Sequence, residues 1–76
     1  MQTTDLKIAS ALMTCGFTLE SVEKVSERQA EFHFAWHEDM DATIMDFING
    51  NLQVDASQLL NNYDSLKSRA TAVTRM

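Results

Sequence analysis

The chain has no proline, one cysteine and two glycines among its 76 residues. With no proline, repeat or low-complexity segment to divide it, it reads as one small domain over 1–76. The ordered core is expected from about residue 4 to 73, with a frayed tail beyond Val73. The single Cys15 rules out an internal disulfide and lacks the companions of a metal site; a lone thiol fits a reducing compartment. No apolar run approaches the length of a membrane span, and the first twenty residues lack a charged start followed by an apolar stretch. The expectation is a cytoplasmic protein with no membrane association.

Basic residues are also few, six against eleven acids, for a net charge of −5. The imbalance is local. Glu20, Glu23, Glu27, Glu31, Glu38, Asp39, Asp41 and Asp46 face only Lys24 and Arg28, whereas Lys67, Arg69 and Arg75 outnumber Asp55 and Asp64 later. An acidic body argues against wrapping nucleic acid, whose phosphates are bound by clustered Lys and Arg. It serves solubility first.

Helix and strand patterns are present throughout. Thr4 is a candidate N-cap for a helix over about Asp5–Cys15, with Leu6, Ala9 and Met13 beside Ile8, Leu12 and Cys15, and Gly16 as the stop. Ala30, Phe32, Phe34 and Trp36 alternate with polar or small residues in a strand. A preceding strand over about Phe17–Lys24 loses phase at Val22, which predicts a bulge or bend. Val25–Gln29 has no Gly or Asn for a two-residue turn, so a longer loop is expected. A second helix over about Asp39–Asn49 carries Met40, Ile44, Phe47 and Ile48 on one face. A third, over about Ala56–Ala72, carries Leu59, Tyr63, Leu66 and Ala70, with Val73 continuing the stripe. The order is α-β-β-α-α: an α+β fold with three helices packed on one face of an antiparallel β-hairpin.

The join between the last two helices is the most informative stretch. Gly50 can end a helix in the left-handed conformation, and Asp55 can cap the next, with Gln58 completing a capping box. Val54 and Leu59 have the spacing of a hydrophobic staple. Each residue of this bridge has a structural task, and none is left for chemistry.

Other clusters are equally bland. His33 and His37 in a strand would lie roughly 13 Å apart, too far to share one zinc. The acids at Asp39 and Asp41 open a helix, where the dipole favours them without any catalytic duty. Cys15 near a helix C-terminus has its thiolate disfavoured, so a small buried residue is expected. Ser57 and Ser65 have no patterned base nearby. No enzyme activity, metal or cofactor is expected.

Asp5-Leu6-Lys7-Ile8-Ala9-Ser10-Ala11-Leu12 leading to Gly16, Phe47-Ile48-Asn49-Gly50, Leu52-Gln53-Val54-Asp55 and Leu66-Lys67-Ser68-Arg69 together resemble a small domain family of unknown function found in bacteria and their phages or mobile elements. Ile48 stands where such families place an aromatic residue before Asn-Gly. The resemblance implies an accessory protein and brings no activity with it.

The resulting expectation is a non-enzymatic protein–protein interaction module acting on an unknown protein, such as a host factor. Phe32, Phe34 and Trp36 of the aromatic strand and the hairpin edge are its expected surfaces, because aromatic side chains anchor interfaces and open edges accept strands. Homodimerisation through that edge would complete a small core. The alternative is a nucleic-acid-associated accessory protein using Lys67, Arg69 and Arg75. For the bridge, Asp55→Ala should lower stability by about 1 kcal/mol through the lost cap. An unchanged urea midpoint would contradict that assignment.

Overall fold

A computed structural model describes residues 1–75. The order is β1 (Gln2–Thr3), α1 (Leu6–Thr14), β2 (Leu19–Ser26), β3 (Gln29–Phe34), α2 (Met40–Ile48) and α3 (Ala56–Thr74). The fold is α+β, as expected, with one strand more than a hairpin. Gln2 and Thr3 pair antiparallel with His33 and Phe32, so β3 is the centre of a three-stranded sheet ordered β1-β3-β2. Phe34 also donates its N–H to the Met1 carbonyl at 2.8 Å.

Alternation on β3 sets the layers. Ala30, Phe32 and Phe34 are buried, whereas Glu31 and His33 point to the helix-free side. Phe32 and Phe34 join Ala9 and Leu12 of α1, Met40 of α2 and Leu66 of α3 in one core cluster. Leu6, Ile8, Met13, Phe17, Leu19 and Ile44 pack around it. Helix α1 lies between the other two helices and packs against both, while α3 also covers β2 and β3. This central position buries Ser10 and Ala11 as well as Ala9 and Leu12. Ser10 is accommodated because its hydroxyl donates to the Leu6 carbonyl at 2.7 Å.

Local signals set most of the boundaries. Asp5, not Thr4, caps α1: its carboxylate accepts the N–H groups of Lys7 and Ile8 at 2.8 and 3.1 Å. Asp55 caps α3 by accepting the Gln58 N–H at 2.8 Å. Gly16 and Gly50 have φ of +92° and +74°. Each closes a Schellman motif, with N–H bonds from Gly16 to Met13 and Phe17 to Leu12, then from Gly50 to Phe47 and Asn51 to Asp46.

The hairpin differs from expectation at its tip. Ser26 pairs with Gln29, so only Glu27 and Arg28 form the turn. Among the described residues, no non-glycine residue has positive φ. The tight turn is instead accompanied by a register irregularity between Lys24 and Ser26, which adjusts the twist that a two-residue loop usually takes from left-handed residues. The bulge expected near Val22 lies between Leu19 and Ser21.

A Cβ built on Gly16 or Gly50 meets nothing within 4 Å. Gly16→Ala and Gly50→Ala should therefore each cost only the left-handed backbone term, about 1–2 kcal/mol in urea unfolding. A loss near zero would show that the motif can relax.

Candidate functional site

Of the expected contact residues, Phe32 and Phe34 are 2% and 1% exposed and belong to the core. Trp36 is 75% exposed. It lies beyond the end of β3, because strand pairing stops at Phe34 and the chain turns toward α2. Ala35 keeps one bond to the sheet region, donating its N–H to Thr18 O at 2.9 Å. Of the aromatic series Phe32, Phe34 and Trp36, only Trp36 reaches the surface.

The two histidines are held apart in different settings. His33 Nε2 lies 2.8 Å from Glu31 and 3.2 Å from Glu23 on the open sheet face. His37 Nδ1 accepts the Asp39 N–H at 3.1 Å and lies 3.6 Å from the Asp39 carboxylate. Its ring meets Phe17 edge-on at 5.5 Å. Among the described residues, no group of three or more His, Cys, Asp or Glu side chains could hold a metal ion. Cys15 is exposed, contrary to the expected burial, because it follows the last turn of α1 beside Gly16. Partial desolvation pushes its thiol pKa up, which keeps it protonated and poorly nucleophilic at neutral pH.

An apolar groove of about 280 Å³ is lined by Lys7 and Ser10 of α1, Phe47 of α2, and Leu59, Leu60 and Tyr63 of α3. Its exposed wall is apolar throughout. The groove exists because α2 packs chiefly on α1, while the Asn51–Asp55 bridge carries the chain over to α3. Leu60 at the groove is 63% exposed, and Ile48 and Met45 on α2 are also exposed. Ile48 had been expected on the buried face of α2.

Leu60 and Met45 fall outside the apolar stripes of their helices. An apolar residue on a polar helical face was the signal available in the sequence, and the stripes themselves concealed it. Asn62 donates its side-chain N–H to Thr14 Oγ1 at 2.9 Å and ties α3 to α1.

Lys67 and Arg75 share a shallow hollow with Ser68, Thr71 and Ala72 on α3, and Arg69 is not among its lining residues. Another cavity, of about 290 Å³, lies between the hairpin tip, the chain entering α1, and the C-terminal half of α3. Arg28 and Lys67 both line it.

These features define a small α+β domain with an open apolar groove on its helical side. A family model described as Domain of unknown function (DUF5659) matches residues 1–72, and the chain belongs to that family. No curated protein and no solved structure matches it. Among the described residues, no helix is long and apolar enough to cross a membrane.

Trp36 is the only tryptophan. Its emission in the folded protein should lie close to that of free tryptophan and be readily quenched by acrylamide. A blue-shifted, quencher-resistant signal would place it under cover.

Proposed function

We propose that the domain is a non-enzymatic protein-interaction module whose main contact surface is the groove between α1, α2 and α3. The observation that carries this reading is the exposed apolar wall at Phe47, Leu59, Leu60 and Tyr63. Contiguous exposed apolar surface of this kind marks interaction sites more often than scattered single residues do. Helix-in-groove docking suits it, because two helices form the walls and a third forms the floor. Trp36 supplies a separate aromatic anchor on the loop before α2.

The wider setting belongs to the same proposal: an accessory protein of a bacterium, phage or mobile element that engages a host factor. The resemblance of the helical and bridge motifs supports that setting. A second contact mode is self-association through β2, the eight-residue outer strand of the hairpin. Glu20, Glu23, Lys24 and Glu27 guard this edge, which makes it the weaker surface.

Leu60→Asp tests the groove, since its side chain already faces solvent and the core does not depend on it. Captures from bacterial lysate by the wild type and this variant should share background proteins and differ in a specific prey that the variant loses. Melting should move by less than about 0.5 kcal/mol, as for a surface position. If every specific prey is retained by the variant, the groove is not the contact surface.

A further inference from the structure

The cavity at the other end of α3 has a different character from the apolar groove. Arg28 reaches it from the hairpin tip and Lys67 from α3, while Leu6, Phe32 and Ala70 provide apolar wall and Thr4 a polar margin. It adjoins the shallow hollow that holds Arg75, with Lys67 and Thr71 common to both. Arg28, Lys67 and Arg75 are half of the chain's six cations. Among the described residues, no Asp or Glu lines either hollow, although the chain carries eleven acids. Arg28 and Lys67 also have no ion-pair partner among the described residues.

We propose that this cavity binds a small amphipathic anion, an organic carboxylate with an apolar body. The guanidinium of Arg28 offers a planar fork to the carboxylate, and the Lys67 ammonium adds a second charge. Thr71 and Thr74 commit their hydroxyl protons to the carbonyls of Lys67 and Ala70, at 3.0 and 2.9 Å. The charged donors lining the cavity are therefore the two cations. The apolar wall takes the ligand body, and a volume near the lower end for small-molecule sites limits the ligand to fragment size. A nucleic-acid backbone fits less well, because it would leave the apolar wall unused and meet the acidic hairpin.

The site is independent of the groove, so either can fail without the other. The test is an amide chemical-shift titration of the full chain with octanoate, with 1-octanol and inorganic phosphate as separate probes, and with a short DNA duplex at low salt. Octanoate should saturate shifts at Arg28, Gln29, Lys67 and Thr71 and bind about tenfold tighter than either half-probe. Arg28→Gln and Lys67→Gln should each weaken octanoate by about tenfold and leave octanol binding and the melting temperature unchanged. Octanol binding as tightly as octanoate would overturn the role of the cations. Phosphate binding as tightly would overturn the role of the wall. Shifts from DNA without shifts from octanoate, or no saturable shifts from any probe, would overturn the proposal.

Discussion

The contact between the inner face of β3 and the helices above it is the constraint on which the rest of this structure depends. Phe32 and Phe34 meet Ala9 and Leu12 of α1, Met40 of α2 and Leu66 of α3 in one cluster, so a single strand contributes to the burial of every helix. A domain of this size has no second core to fall back on. Burying these side chains fixes β3 at the centre of the sheet. β1 then closes one edge of β3 with two residues, although so short a strand has almost no stability alone.

Around that core, two glycine stops and two aspartate caps direct the chain. The Schellman motif at Gly16 turns α1 into the first hairpin strand, and Phe17 follows it onto the core. The equivalent motif at Gly50 releases α2 into the bridge, and Asp55 starts α3. Because the bridge spends five residues between Gly50 and the first turn of α3, α2 and α3 are placed against α1 without closing on each other. The groove is a consequence of that spacing. Its apolar wall is therefore a product of chain geometry as well as of composition.

Much of this architecture is legible in the residues themselves. The period of two along β3, the stripe through Leu59, Tyr63 and Leu66, and the roles of Gly16, Gly50 and Asp55 are local and can be read directly. The features that escape are those set at long range. Gln2–Thr3 are too few to show a period, and only pairing with β3 makes them a strand. Apolar alternation continues to Trp36 although pairing ends at Phe34, so periodicity placed Trp36 inside a strand that it has already left. Asp5 displaced Thr4 as cap, and Thr3 Oγ1 accepts the Asp5 N–H at 3.1 Å, which leaves the Asp5 carboxylate to serve the helix. The groove and the Arg28–Lys67 cavity were not legible, because each joins residues from separate elements and neither has a motif. Among the groove residues, Leu60 alone carries a hint, as an apolar residue outside its helix stripe.

The dependence on β3 makes a direct claim about how stability is distributed. Amides of β3 should open only with global unfolding, while the C-terminal half of α2, held mainly by α1 and bordering the groove, should open locally at lower cost. Native-state hydrogen exchange residue by residue measures this. The account predicts that Phe32 and Phe34 are among the slowest amides and exchange with the global free energy, and that Phe47 and Ile48 exchange faster through local opening. Equal protection of α2 and β3, or early exchange at Phe32 and Phe34, would contradict it.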